Sequence, residues 1–177
     1  MLEETRIIAN PHETHMLALK LIGEAQNEIL VLFSTENGIR RQFEARNEQF
    51  VLEAARRGVV VTVLSPMDEL AKKSASALEK QNENISIRSI KPYSHSTSRP
   101  FTTIVVDNKH SLTIELVDDS KPGVEEAIGQ AIYSTTKRSV DDSIFRFNSV
   151  LHLFQDEEDS IKKWLDVATK MVNERKH

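Results

Sequence analysis

The feature that most constrains this chain is a pair of near-continuous apolar runs, 28–34 (EILVLFS) and 59–65 (VVVTVLS), each preceded by a segment of helical periodicity. Strands without polar alternation fit a sheet covered on both faces, and the intervening helices supply the covers. From Pro11, residues Met16, Leu17, Leu19, Leu21 and Ile22 sit at helical spacing. One helix is predicted over Phe43–Arg57, with Phe43, Phe50, Val51, Ala54 and Ala55 on one face and Gly58 stopping it. A more polar helix follows over Asp68–Asn82. Residues 85–90 (ISIRSI) then alternate strictly, as a strand with one wet face near a sheet edge does. Residues 101–107 (FTTIVVD) and 111–117 (SLTIELV) flank a turn at Asn108-Lys109-His110 and read as a hairpin, and 131–135 (AIYST) reads as a last strand. The expected fold class is α/β, a sandwich of a mixed sheet flanked by helices.

Beyond Ser139, which with Asp142 resembles a helix cap followed by first-turn acids, a long C-terminal helix begins. Phe147, Leu151, Phe154, Glu158, Ile161, Leu165, Ala168 and Val172 recur at alternating spacings of four and three, a heptad seam interrupted by one charge. The acidic run Asp156–Asp159 is a place where this helix could break. The seam exceeds what a compact sandwich needs, so a parallel homodimer through Phe147, Leu151, Phe154, Ile161, Leu165, Ala168 and Val172 is expected.

Composition excludes several classes. With 177 residues, five Gly and five Pro, the chain is long enough to bury a core and too poor in breakers to be a linker. A net charge of −4 and the lack of a lysine/arginine block argue against nucleic acid as a partner. The absence of Cys removes disulfides and thiolate metal sites, and fits a cytoplasmic protein. No apolar run approaches a membrane span, so no membrane partner is expected.

The loops after the carboxyl ends of strands form the natural crevice of an α/β sheet. Ser34, Thr35, Asn37, Arg40 and Arg41 after the first apolar run, and Ser65 after the second, are therefore candidate ligand-binding residues. Arg40 or Arg41 could hold an anion, against the alternative of surface ion pairs with Glu36 or Glu44. Glu115 lies within an apolar strand, where it must face water or meet a basic partner, expected among Arg40, Arg41 and Lys121. His12 and His15 form a pair at i,i+3 without the metalloprotease spacing, and read as a solvated helix start. No cofactor and no metal are expected.

Two groups of segments carry a resemblance: 33–42 (FSTENGIRRQ) with 57–70 (RGVVVTVLSPMDEL), and 105–121 (VVDNKHSLTIELVDDSK) with 125–140 (EEAIGQAIYSTTKRSV). They resemble the N-terminal input domain of archaeal sensor histidine kinases, a family with a phospholipase D-like fold related to the effector domains of TrmB-like transcription regulators. The resemblance singles out Glu115 again, with Asp118, Asp119 and Lys121. Phospholipase D enzymes carry His-x-Lys followed by an Asp. Setting Asp107 on that Asp places Pro100 at the nucleophile and Thr102 at the phosphate-binding lysine, and no His-x-Lys occurs elsewhere in the chain.

These readings together imply a non-catalytic sensory or regulatory module and not an enzyme. Residues 1–154 would form the sensory domain, and 155–177 a signalling helix. An unknown small-molecule or protein signal would act at the strand-end loops, and the output would be a kinase or other domain. The alternatives are a divergent phosphodiesterase of the phospholipase D superfamily and a domain whose role is assembly alone.

Overall fold

The computed structural model describes residues 2–92 and 99–174, with backbone alone for 154–160. The apolar run at β2 (Glu28–Phe33) explains the architecture. Ile29, Val31 and Phe33 point into one buried cluster and Leu30 and Leu32 into another, so β2 is covered on both sides. Its neighbours are β3 (Val60–Ser65), parallel to it, and β5 (Phe101–Val106), antiparallel. β4 (Ile85–Ser89) adds in parallel beyond β3, and β6 (His110–Leu116) and β7 (Ile128–Ser134) add antiparallel beyond β5. β1 (Thr5–Ile8) closes the far edge against β7. Among the described residues this is one seven-stranded mixed sheet of order β1-β7-β6-β5-β2-β3-β4. The expected α/β class holds, and β4 lies at an edge, as its alternation implies.

Helices α1 (Pro11–Glu24), α2 (Glu36–Glu44), α3 (Glu48–Arg56) and α4 (Glu69–Glu79) contribute to the larger cluster on one face, with the short α5 (Val124–Ala127) leading into β7. The other face is covered by α6 (Lys137–Glu174), whose Val140, Phe147 and Val150 pack on Leu30, Leu32, Leu64 and Val105. A buried hydrogen bond of 2.7 Å between the Ser111 and Ser143 hydroxyls fixes α6 to β6.

Three local expectations are corrected. The single helix predicted over Phe43–Arg57 is two helices, because Arg46 takes a left-handed conformation (φ 57°). The Asn47 N–H donates to Gln42 O (2.9 Å) and the Arg46 N–H to Phe43 O (3.1 Å), which is a Schellman stop built without glycine. The hairpin turn centres on Asp107 and Asn108, both at φ 54°, with the Lys109 N–H closing onto Val106 O at 3.0 Å. This is the left-handed pair of a two-residue hairpin loop. Third, α6 starts two residues before Ser139: the Thr136 hydroxyl accepts from the Ser139 N–H at 3.3 Å, so Thr136 caps the helix. Gly58 does end α3, at φ 93°. The backbone of α6 is helical through Asp156–Asp159, so that acidic run does not break it.

Candidate functional site

Because β2, β3, β4 and β6 all run the same way, their carboxyl ends gather at one end of the sheet together with the start of β5. That end collects Ser34, Thr35, Asn37, Arg40, Arg41, Ser65, Glu115, Asp118 and Lys121. Three of them, Thr35, Asn37 and Arg41, converge on Asp119.

Asp119 is the centre of the arrangement. Its carboxylate accepts from the Arg41 guanidinium (2.7 Å), the Thr35 hydroxyl (3.0 Å) and the Asn37 amide (3.3 Å). Arg41, only 4% exposed, also donates to the carbonyls of Asp119 (2.7 Å) and Lys121 (3.2 Å), so one buried cation holds the whole β6–α5 loop. Thr35 caps α2 by accepting from the Gly38 N–H at 3.2 Å while donating to Asp119, which couples helix start and loop. Gly38 is needed there, since a Cβ would come within 2.9 Å of Phe33 Cδ1. Asp118 turns back on its own segment, accepting from the Ser120 hydroxyl (2.5 Å) and N–H (3.1 Å). Those bonds hold its carboxyl below the usual range.

The partners expected for the charged residues are corrected. Arg40 pairs with Asp68 at 2.8 Å, not with Glu36 or Glu44. Asp68 caps α4 by accepting from the Ala71 N–H, and this bond is the main cause of its lowered pKa, with Arg40 adding to it. Glu115 pairs with Arg99, and none of Arg40, Arg41 or Lys121 is its partner. Arg99 is 82% exposed, so this pair sits at the surface. Ser34 and Ser65 are buried strand ends: the Ser34 hydroxyl accepts from the Phe101 N–H at 2.8 Å, and the Ser65 hydroxyl donates to Pro66 O at 2.8 Å.

Pro100 and Thr102 lie at the same end of the sheet, with Thr102 paired to Phe33 and Ile114 in register. Asp107 lies at the opposite end. Its carboxylate accepts from the N–H groups of Gln26 (3.0 Å), Asn27 (2.7 Å) and Glu28 (3.0 Å), fastening the hairpin to the start of β2. Burial works to raise its pKa, and the three backbone donors together with Lys109 overcome that and leave it lowered. His12 and His15 bracket Glu125, each through Nδ1, at 2.9 and 3.1 Å. Among the described residues no group of three or more His, Asp or Glu side chains could hold a metal.

The seam of α6 divides in two. Phe147 is buried and Leu151 half-buried against the chain's own sheet, so neither is available to a partner. Below them Ile161, Trp164, Leu165, Val167, Met171 and Val172 are all more than half exposed. Ala168 is partly covered, and the Phe154 side chain lies outside the described residues. No helix among the described residues is long and apolar enough to cross a membrane.

No family model matches the sequence, and no curated protein matches it. Solved structures do. NucT from Helicobacter pylori is similar over 85% of this chain and 97% of that one, with a TM-score of 0.64 and 10% identity. Nuc from Salmonella typhimurium, a phospholipase D family member, is similar over 85% and 95%, with a TM-score of 0.59 and 13% identity. The fold is phospholipase D-like. TrmBL2, an archaeal chromatin protein that binds DNA, is similar over 85% of this chain with a TM-score of 0.59 and 17% identity, and the chain spans about half of its length (52%). The phospholipase D-like and TrmB-like part of the sequence resemblance therefore holds for the fold. Two expectations are corrected. Exclusion of enzymatic activity does not stand, because a phospholipase D family member shares the fold. Exclusion of nucleic acid does not stand either, because a DNA-binding protein shares it.

Proposed function

We propose that the chain is a sensory or regulatory module of a signal-transduction protein of the histidine-kinase type. Residues 1–154 receive a small-molecule or protein signal at the strand-end loops, and 155–177 carry it onward. The observation that carries this reading is α6, a 38-residue helix about 57 Å long, fixed to the sheet in its upper half and apolar but uncovered in its lower half. A signal that shifts the strand-end loops biases how the sheet holds the upper half, and the lower half reports that bias as a population shift. Ile161, Leu165, Ala168 and Val172 keep the four-three spacing of a parallel pair, so the partner for the lower half is a second copy of the same helix. Sedimentation of the intact chain and of Leu165→Glu tests this. A dimer that the substitution dissociates is the expected result. A monomeric intact chain at high micromolar concentration refutes it.

A second reading, phosphodiester hydrolysis, is favoured by how nearly the likeness fills NucT and Nuc, 97% and 95% of their chains. Pro100 and Thr102 stand where the enzymes' histidine and lysine belong, so a nucleophile would have to come from elsewhere at the strand ends. Turnover of a generic phosphodiester, lost in an Arg41→Ala variant that still folds, would establish this reading over the first. Because TrmBL2 binds DNA, a salt-dependent DNA-binding measurement belongs beside that assay.

A further inference from the structure

The free part of α6 carries more apolar surface than a pair of helices can cover. Among its residues 161–174, half are apolar: Ile161, Trp164, Leu165, Val167, Ala168, Met171 and Val172. A two-stranded seam uses two positions per heptad, about four over this length, whereas a helix that packs on more than one neighbour carries three or more per heptad. Pairing of two copies through Ile161, Leu165, Ala168 and Val172 therefore leaves Trp164, Val167 and Met171 over. All three are more than half exposed, Trp164 at 68%.

These three residues are themselves spaced by three and four, so they form a second line along the helix. Exposed Leu153, two heptads before Val167, lies on the same line, and Glu174 ends it. At about 100° per residue the two lines stand roughly 100° apart around the helix axis, so one partner helix cannot cover both. On its inner side the second line is bordered by Ile161 and Ala168 of the first. On its outer side it is bordered by Lys163 and Lys170, each directly preceding Trp164 or Met171 and each exposed. Charges in that place beside a seam select the partner helix by opposite sign.

We propose that Trp164, Val167 and Met171 form a docking seam for an amphipathic helix of another protein, one with an apolar stripe flanked by acidic residues that meet Lys163 and Lys170. The seam rests on the reading that two copies pair through the first line. In a parallel pair the two-fold axis turns the second seams to opposite sides, so the dimer offers two equivalent seats, one per copy.

Trp164 is the chain's single tryptophan, so its emission reports on this seam alone. The test titrates the full chain with a synthetic three-heptad peptide bearing Leu along one seam, Glu beside it and no tryptophan, and with the same peptide carrying Lys in place of Glu. The expected result is a blue shift of Trp164 emission that saturates at one acidic peptide per copy, with the basic peptide binding roughly tenfold more weakly. Val167→Glu/Met171→Glu should abolish the shift while leaving the dimer's sedimentation unchanged, and Lys163→Glu/Lys170→Glu should reverse the preference between the peptides. No saturation with the acidic peptide, or a shift that survives Val167→Glu/Met171→Glu, overturns the proposal. Equal binding of the two peptides overturns the acidic class of partner. So does a shift produced only by phosphatidylserine vesicles, which would assign the seam to a membrane surface. Emission already blue-shifted in the chain alone, at the mass of four copies, overturns the proposal because further copies then cover the seam. A monomeric chain refutes the pairing reading and the two-seat arrangement with it, whereas a dimer that fails the titration refutes the second seam alone.

Discussion

Replacing Asp119 by Ala puts the strand-end network to its most demanding test. The substitution removes the carboxylate that accepts from Arg41, Thr35 and Asn37, while leaving the Asp119 and Lys121 carbonyls that Arg41 also uses. Breaking a buried pair from one side costs ~3–5 kcal/mol, because an uncompensated charge is left behind. Arg41 is 4% exposed but the Asp119 side chain is 22% exposed, and the two carbonyls remain, so the cost here should be about 2–4 kcal/mol. In a chain of 177 residues that corresponds to a loss of roughly 10 °C in melting temperature. Differential scanning calorimetry of the wild type, Asp119→Ala, Arg41→Met and the double variant measures both the cost and the coupling. The double variant should be more stable than the sum of the singles implies, since no charge is stranded in it. A drop under about 2 °C for Asp119→Ala, or strict additivity, would mean that the ion pair is not what anchors the loop.

Glu115→Ala should change stability by less than about 1 kcal/mol, because its partner Arg99 is 82% exposed; a loss several times larger in chemical denaturation would reveal a hidden burial. Arg46→Gly should stabilise the chain by about 1 kcal/mol, since a left-handed stop at φ 57° favours glycine, and an unchanged or lower denaturation midpoint counts against the strain assigned there. Asp107 has a folded pKa below its unfolded one, so its contribution is complete above the unfolded value and disappears as pH falls through the folded value. Asp107→Asn should therefore melt lower than wild type near neutrality and converge with it in acid, as a melting series down the carboxylate range will show; parallel curves would contradict the assignment. Leu165→Glu should dissociate the proposed dimer without lowering the melting temperature of the sheet domain, and sedimentation beside calorimetry separates the two effects.

The sequence by itself determined whatever follows from local pattern. The unbroken apolar runs of β2 and β3 demand burial on both faces, the strict alternation of β4 demands an edge, and Gly58 stops a helix because only glycine reaches φ 93° freely. The gathering of the polar candidates at one end of the sheet was legible too, since parallel strands separated by helices place their carboxyl ends together. Only the tertiary structure decided which groups meet. Arg40 finds Asp68 across 28 residues and Arg41 finds Asp119 across 78, and nothing near either arginine in the chain distinguishes those partners from Glu36 or Glu44. The strand β1 has one buried residue in four and is held mainly by pairing with β7, so it carried no apolar signature. The break between α2 and α3 carries no mark in the sequence, because arginine occupies the position that glycine usually takes. For α6 the heptad pattern runs on either side of Glu158, yet its upper half packs on the sheet and its lower half is open. Periodicity records that a face is apolar, and the sheet's finite extent decides how much of it the chain itself covers.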